Sequence, residues 1–365
     1  MKNILISTTR QWNPGDEFIM MGSLNIMKEL YGNIINPIIF NRNPDIRGGA
    51  NFRNSTRNYR FSYKWDKSTF KGKGGLHELF RIGHYDNSWK DDMNISNIDM
   101  ALFAGSPEWY GKRLKAMYQA IEKGDIPTIF LGLGAGDSID FAKSDAIVDR
   151  VLTMAKVIMT RDKQTEKMLK KYGAIYMPCP ALFAAPSNKI VKEVKKIGLI
   201  YATHETLKGN NVSKSMHDYI IDLYKESIPV PGMDMFGPLH GYMNGDEIDK
   251  AKDEFPDIDI NYSYDSKDYI DIYNKFDLVI GGRVHGIGMS ASLGIPGIMI
   301  KHDSRSSTTD GFLATSINIG TSVNDIVEII EAKSKNIENE SKKLNEHKKE
   351  TMSKYLEILK ERLHD

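Results

Sequence analysis

Apolar residues along the chain alternate between short runs typical of strands and longer stretches with helical spacing. The first run covers residues 4–7, and Phe18, Met21 and Leu24 then recur at helical spacing as far as Gly32. Other short runs, most of them next to a helical pattern, cover residues 99–104, 128–131, 157–160, 197–201 and 277–280. Strands that alternate with helices predict an α/β fold with parallel sheets.

The length of 365 residues allows two such domains, each with its own core. We place the first, a Rossmann-like domain, at residues 1–186, with an irregular polar and aromatic excursion at residues 42–97. A second Rossmann-like domain covers residues 187–330, and its pattern predicts, among other elements, a strand at residues 228–233 and a helix at residues 325–331. Residues 331–365 form a highly charged helix with a sparse apolar stripe, which is expected to pack back on the first domain.

Composition excludes several classes of function. The net charge is +1 with 27% charged residues, which does not suggest a nucleic-acid partner. Cys179 is the single cysteine, so no disulfide forms within the chain, and a reducing, cytoplasmic location is expected. No apolar run reaches membrane-spanning length, so membrane contact is expected to be peripheral at most.

The central stretch, residues 275–300, predicts a strand, a turn, a helix and a second strand. Its first strand ends at Gly281-Gly282, and Arg283 and His285 then lie at the mouth of a helix of small residues. The helix N-terminus carries a partial positive charge, and the guanidinium and imidazole add donors, so this strand end favours an anion. In the alternative, Arg283 pairs with a carboxylate and His285 packs in the turn.

The sequence FDLVIGGRVHGIGMSASLGIPGI resembles the signature of the polysaccharide pyruvyl transferase family: an aliphatic strand, a Gly-x-Arg-x-His-Gly turn, a small-residue helix and Gly-x-Pro. Weaker marks of the same family precede it in the right order, namely Gly15-Asp16-Glu17, the Gly-x-Gly-x-Gly of residues 132–136, and Arg161-Asp162. Together they extend from about residue 13 to residue 300.

The resemblance implies a GT-B fold, in which two Rossmann-like domains face each other across a cleft. It also implies transfer of pyruvate, as a ketal, from phosphoenolpyruvate to two hydroxyls of a saccharide that belongs to the cell envelope or an exopolysaccharide and is lipid-linked in some cases. Phosphoenolpyruvate is a co-substrate, and no cofactor is expected. Arg161 and Arg283 then bind the donor, together with Gly282 and Gly286, and His285 is the candidate general acid.

Several of these assignments have structural alternatives. One of Asp16 and Glu17, which follow Gly15, orients or deprotonates the acceptor hydroxyl, or both serve only the dipole of their helix. Arg161 lines the donor site, or Arg161 and Asp162 simply pair with each other or cap the next helix, with Asp162 at the N-cap. Lys301 and Arg305 bind phosphate, or they belong to a solvated polar loop.

Three features concern the acceptor. Ser106, Glu108 and Trp109 replace the family's run of glycines and are predicted to shape the acceptor pocket. The excursion at residues 42–97 is a candidate acceptor lid or an irregular lobe packed on its own aromatic residues. Cys179 occupies the place of a family aspartate and is expected to be buried bulk and not a nucleophile.

Two other functions remain open. A GT-B glycosyltransferase that uses a nucleotide sugar needs similar helix termini, and a saccharide-binding relative without catalysis would explain Cys179 and the altered turn. His204, His217 and His240 are scattered without metal-ligand spacing, so no metal site is expected. The acceptor sugar and the oligomeric state, a homo-oligomer included, are left open.

Overall fold

The computed structural model describes residues 1–8, 13–41, 97–105, 114–136, 144–201, 216–227, 234–238, 245–263 and 265–363. In this part of the chain the strands form two six-stranded sheets, and every neighbouring pair of strands is parallel. Helices follow most of the strands, so both sheets have the doubly wound arrangement that the alternating pattern predicts.

The first sheet has the strand order β2-β1-β3-β4-β5-β6. Its elements in chain order are β1 (Lys2–Thr8), α1 (Pro14–Tyr31), β2 (Ile35–Asn41), β3 (Met100–Ala104), α2 (Lys115–Gly124), β4 (Thr128–Leu133), α3 (Ala146–Met154), β5 (Val157–Thr160), α4 (Lys163–Met168) and β6 (Ile175–Tyr176). The edge strand β2 is not predicted by the sequence pattern.

The second sheet has the order β12-β11-β10-β7-β8-β9. Its elements are β7 (Lys196–Leu199), α5 (Met216–Ser227), β8 (Asp234–Pro238), α6 (Gly245–Glu254), β9 (Ile260–Asn261), α7 (Asp268–Asn274), β10 (Leu278–Gly281), α8 (Val284–Ser292), β11 (Gly297–Lys301) and β12 (Thr315–Asn318). A strand predicted at residues 228–233 lies outside the described residues. The polar loop predicted after residue 300 is instead a 3₁₀ helix, Ser304–Phe312.

Helix α1 begins and ends as its sequence predicts. The side chain of Asn13 accepts a hydrogen bond from the Gly15 amide at 3.0 Å, and Pro14 occupies the first helical position. Gly32 ends the helix with a φ of 71°. A Cβ on Gly22 would lie 1.7 Å from the Pro180 carbonyl oxygen, so a glycine is needed for α1 to pack this closely on residues 180–183.

The C-terminal helix, α9 (Val323–Leu363), is one continuous helix of 41 residues. The sequence pattern predicts two helices, one at residues 325–331 and one at residues 334–363, and the predicted interruption between them is wrong. The Tyr355 hydroxyl donates to the Pro178 carbonyl at 2.8 Å, and Lys348 Nζ donates to the Ala185 carbonyl at 3.2 Å. The helix therefore packs back on the last residues of the first domain, as predicted.

One continuous apolar core joins the two halves of the chain. It contains Ile4 and Phe18 from the first half, Val279 and Ile300 from the second, and Tyr355 from α9. A second cluster, which includes Phe103, Phe130 and Val151, fills the opposite face of the first sheet. Because apolar burial is the main stabilising term, the larger cluster fixes how the halves meet. Within the described ranges, no helix combines the length and apolar character needed to cross a membrane.

Candidate active site between the two sheets

The turn after β10 places Arg283 and His285 at the carboxyl edge of the second sheet. Arg283 is the N-cap residue of α8, with extended backbone (φ −102°, ψ 108°), and His285 lies in the first turn of that helix. A Cβ on Gly286 would lie 2.7 Å from Ile200 Cδ1 and 2.8 Å from the Tyr273 hydroxyl. The predicted strand, turn and helix are confirmed, and glycine lets α8 approach the sheet closely.

The N-terminus of helix α1, in the first half of the chain, lies against the same turn. A Cβ on Gly15 would lie 2.7 Å from Nδ1 of His285 and 3.0 Å from its Cβ, so the imidazole packs directly on the glycine backbone. The N-termini of α1 and α8 thus meet at His285. Both helix ends carry a partial positive charge from the helix dipole, which favours an anion in this region.

Arg161 reaches His285 from the end of β5. Its Nη1 lies 3.0 Å from Nε2 of the imidazole, across 124 residues of sequence. A guanidinium has only donors, so Nε2 accepts this hydrogen bond, and the proton of a neutral ring lies on Nδ1. The first half therefore contributes a cation to the turn that carries His285.

Burial and a glycine hold the guanidinium of Arg161 in place. The residue is 8% exposed, and a Cβ on Gly134 would lie 2.2 Å from its Nε. That Nε has no hydrogen-bond partner among the described residues. Gly132 has a different role, since it has a φ of 73° within β4 and a Cβ there would lie 2.6 Å from Pro180 Cδ.

Asp162 caps the N-terminus of helix α4, and Arg161 does not. The Asp162 carboxylate accepts from the Thr165 amide at 2.7 Å and caps α4, while the Arg161 guanidinium turns toward His285. The predicted N-cap role of Asp162 is therefore confirmed, while the Arg161 side chain does not cap this helix.

The two carboxylates of the first turn of α1 have different surroundings. Glu17 is 1% exposed, and its Oε2 accepts from the Ser266 hydroxyl at 3.0 Å, whereas Asp16 is half-buried. A buried carboxylate bound to the other half of the chain is poorly placed to meet an incoming hydroxyl. Ser266, which precedes α7, carries no sequence signal that would have identified it.

Lys301 and Arg305 lie at the end of β11 and in the 3₁₀ helix that follows. Arg305 is exposed and donates from Nε to Oδ2 of Asp303 at 2.8 Å. Burial alone raises the pKa of the Asp303 carboxyl, but the hydrogen bonds and charge of Arg305 outweigh it and leave that pKa below its ordinary value. Lys301 is the half-buried last residue of its strand.

The remaining predicted residues divide into a buried thiol and an undescribed region. Cys179 is fully buried, and burial raises the pKa of its thiol to about 11, so the nucleophilic thiolate is scarce near pH 7. Ser106, Glu108, Trp109 and most of the excursion at residues 42–97 lie outside the described residues. Among the residues that the structure describes, no three His, Cys, Asp or Glu side chains are grouped so as to hold a metal ion.

Comparisons with known proteins bear on both fold and family. The family model described as polysaccharide pyruvyl transferase matches residues 13–304. No curated protein matches the chain in sequence. A solved structure of a putative UDP-N-acetylglucosamine 2-epimerase from Listeria monocytogenes is 13% identical, with a TM-score of 0.56 over 94% of this chain and 90% of that one.

A second solved structure, UDP-GlcNAc 2-epimerase from Neisseria meningitidis bound to UDP-GlcNAc, is 14% identical, with a TM-score of 0.55. The match covers 100% of this chain and 99% of that one. At such identities the similarity shows the fold alone. Together with the two parallel sheets and the returning C-terminal helix, it confirms the predicted GT-B architecture.

Proposed function

The chain belongs to the polysaccharide pyruvyl transferase family, and on that premise we propose that it transfers a pyruvyl group from phosphoenolpyruvate to two hydroxyls of one sugar, forming a ketal. The acceptor is a saccharide of the cell envelope or an exopolysaccharide. The reaction uses phosphoenolpyruvate as co-substrate and needs neither a cofactor nor a metal ion. It takes place in the cytoplasm, with the acceptor free or lipid-linked.

The observation that supports this proposal best is the contact between Arg161 and His285, which joins the two halves at 3.0 Å. The donor carries a phosphate and a carboxylate close together, and two arginines near two helix N-termini suit such a compact anion. We assign Arg161 and Arg283 to these two groups. Gly282 and Gly286 shape the turn that receives them.

The proposed chemistry begins with proton transfer to the methylene carbon of the donor. His285 gives this proton, the neighbouring carbon becomes electron-poor, and the first sugar hydroxyl forms a bond to it while losing its own proton. The carbon–oxygen bond to phosphate then breaks, and the second hydroxyl attacks the same carbon. One hydroxyl proton restores His285, and the other leaves with phosphate. The proton that His285 gave to the methylene carbon makes it the methyl group of the ketal.

His285 must change its hydrogen bonding before it can act as an acid. In the structure Nε2 accepts from Arg161, and a neutral imidazole is the form that accepts. When the anionic phosphoenolpyruvate accepts hydrogen bonds from the Arg161 guanidinium, Nε2 loses its own hydrogen bond to Arg161 and negative charge lies beside the ring. Both effects favour the imidazolium. Binding of phosphoenolpyruvate thereby favours the protonated form of His285 that the first step needs.

Asp16 is the better candidate for the group that orients or deprotonates the acceptor hydroxyl. It lies next to Gly15 in the first turn of α1 and is half-buried, while Glu17 is fully buried. A base must come within hydrogen-bond distance of the hydroxyl, which a partly exposed carboxylate can do. Lys301, at a strand end of the second half, is a further candidate for the donor phosphate.

The test compares ligands on the intact chain. Phosphoenolpyruvate should raise the melting temperature, since a ligand at about 100 times its Kd stabilises the native state by about 2.7 kcal/mol. UDP-GlcNAc, UDP and pyruvate serve as matched comparisons at the same concentration. Phosphate release should then require both phosphoenolpyruvate and a saccharide acceptor.

Three outcomes decide the matter. Stabilisation by UDP-GlcNAc and not by phosphoenolpyruvate would indicate a nucleotide-sugar glycosyltransferase and would overturn the proposal. Binding of phosphoenolpyruvate without phosphate release from any tested saccharide would favour a saccharide-binding relative that has lost catalysis. Turnover that disappears in chelator and returns with one added divalent metal would contradict the metal-free reaction.

A further inference from the structure

Glu17 and Ser266 form a hydrogen bond between the two halves of the chain. Oε2 of Glu17, in the first turn of α1, accepts from the Ser266 hydroxyl at 3.0 Å, and 249 residues separate the two. Glu17 is 1% exposed and Ser266 is 2% exposed. Burying a carboxylate is costly unless it accepts hydrogen bonds, so this pair opposes separation of the two elements.

An aromatic contact one residue further along α1 joins the same two parts of the chain. Phe18 of α1 and Tyr269 of α7 pack edge to face, with ring centroids 5.7 Å apart, and both are fully buried. Helix α7 continues to Tyr273, whose hydroxyl lies against Gly286 in the first turn of α8. The first turn of α1 is therefore tied, through α7, to the turn that carries His285.

We propose that Glu17 is a positioning residue for His285 and not the base that meets the acceptor. By accepting from Ser266, its carboxylate docks the first turn of α1 on the second half. That docking sets the place of Gly15, on whose backbone the imidazole rests. This inference rests on the proposed role of His285 as the proton donor.

The geometry makes the position of His285 sensitive to this junction. Its Nδ1 lies against Gly15 of the first half, its Nε2 accepts from Arg161 of the first half, and its backbone belongs to the second half. A small shift between the halves changes both contacts at once. A misplacement of about 1 Å can lower a rate about 100-fold, so a modest loosening should be measurable.

Steady-state kinetics separate the two roles of Glu17. Ser266→Ala removes the hydroxyl that donates to Glu17. It should lower kcat about 10-fold with little change in the KM for phosphoenolpyruvate, because misplacement of His285 acts on the chemical step. Glu17→Gln keeps an oxygen that accepts from Ser266, so its kcat should stay within about 3-fold of the parent. A catalytic base at Glu17 predicts the reverse, with about 100-fold or more lost in Glu17→Gln and none in Ser266→Ala.

A matched control lies in the same segment. Ser263 also donates from its hydroxyl to a carboxylate, that of Asp268, but this pair is exposed and lies within the second half. Ser263→Ala removes one hydroxyl near the start of α7, which also accepts from the Asp265 amide at 3.0 Å, but leaves the hydrogen bond between Ser266 and Glu17 in place. It should leave kcat unchanged.

A second measurement needs no substrate. In a ¹H–¹³C NMR spectrum of the ligand-free protein at fixed pH, the His285 imidazole signal can be assigned by its loss in His285→Gln. It should move in Ser266→Ala, because the contacts with Gly15 and Arg161 change, and stay in place in Ser263→Ala. If Ser266→Ala does not fold, Ser266→Cys, a weaker donor, takes its place in both measurements.

The inference and the proposed function fail separately. A stationary His285 signal or an unchanged kcat in Ser266→Ala overturns the positioning role, as does a loss of about 100-fold in Glu17→Gln. If the chain transfers no pyruvyl group at all, the proposed function fails. The NMR comparison then still decides whether Ser266 and Glu17 hold His285 in place.

Discussion

Two groups of basic side chains lie at strand ends of this molecule, and their surroundings differ. The first, Arg161 with His285, forms where the halves meet, and its guanidinium is buried and donates to an imidazole. The second, Arg305 with His302, follows β11, where both side chains lie beside the carboxylate of Asp303. Arg305 is exposed and donates to this carboxylate, and Nε2 of His302 lies 3.6 Å from its Oδ2.

The comparison teaches that a basic residue at a strand end is not by itself an anion site. Asp303 already supplies the negative charge beside Arg305, so a phosphate there would compete with a carboxylate two residues away. At Arg161 the hydrogen-bond partner is an uncharged ring, and the nearest carboxylate in sequence, Asp162, is used in capping α4. An incoming anion therefore gains more at Arg161.

The largest effect is expected for His285→Gln, which removes the proposed acid from the first group. Glutamine keeps a polar side chain of similar size but cannot give up a proton. Turnover, measured by phosphate release, should fall about 100-fold or more, while the Kd of phosphoenolpyruvate, measured by calorimetry, stays nearly unchanged.

The melting temperature of His285→Gln must first show that it remains folded. Parental turnover in a folded variant would show that His285 is only a structural part of the turn. The two groups would then no longer differ in chemistry.

The next largest effect is expected for Arg161→Lys and Arg283→Lys. A point charge replaces a planar fork in each, so the affinity for phosphoenolpyruvate should fall about 10-fold or more, which corresponds to about 1.4 kcal/mol. Gly134→Ala provides a matched variant, because its new methyl group displaces the Arg161 guanidinium without removing the charge. Parental affinity in all three would refute the assignment of the donor site.

Much of the first group was predictable from the sequence. Gly281-Gly282, the small residues of α8 and Gly294 identify a strand, turn and helix by local rules, and Arg161 follows a clear apolar strand. Such rules concern neighbours in sequence. The contact between Arg161 and His285 joins residues 124 apart, and only the family resemblance suggested that they share one site.

The features that sequence reasoning missed depend on tertiary packing. Strand β2 has an exposed edge and contains Pro37, so its pattern lacks the buried run that identified other strands. Helix α9 continues through residues 332–333 because buried Ile330, Lys333 and Ile337 keep one face against the protein. Ser266 gains its importance from a carboxylate 249 residues away, which no local pattern records.

A smaller effect should accompany donor binding itself. Because Nε2 accepts from Arg161 in the structure, a negatively charged donor substrate should favour protonation of His285, so binding should take up protons. Calorimetry at pH 8 in two buffers of different ionisation enthalpy should give uptake of a fraction of one proton per donor bound. At that pH the donor phosphate, whose second pKa is about 6, is already ionised.

The sign of this effect is what tests the first group. Protonation coupled to binding means that the apparent affinity weakens as pH rises. His285→Gln should abolish the uptake, and Arg305→Gln should leave it in place. Proton release on binding to the parental protein would show that His285 does not receive the proton.

The smallest effect is expected for Arg305→Gln in the second group. The Arg305 side chain is 55% exposed, and an exposed ion pair contributes about 0–1 kcal/mol, so the melting temperature should change little. The Kd of phosphoenolpyruvate and the turnover should both stay within about 2-fold of the parent, since the guanidinium of Arg305 is already hydrogen-bonded to the Asp303 carboxylate. A fall in donor affinity as large as that of Arg161→Lys would remove the contrast between the two groups. Arg305 would then have to exchange Asp303 for the donor phosphate, and Lys301→Gln, at the end of the neighbouring strand, should weaken donor binding to a similar degree.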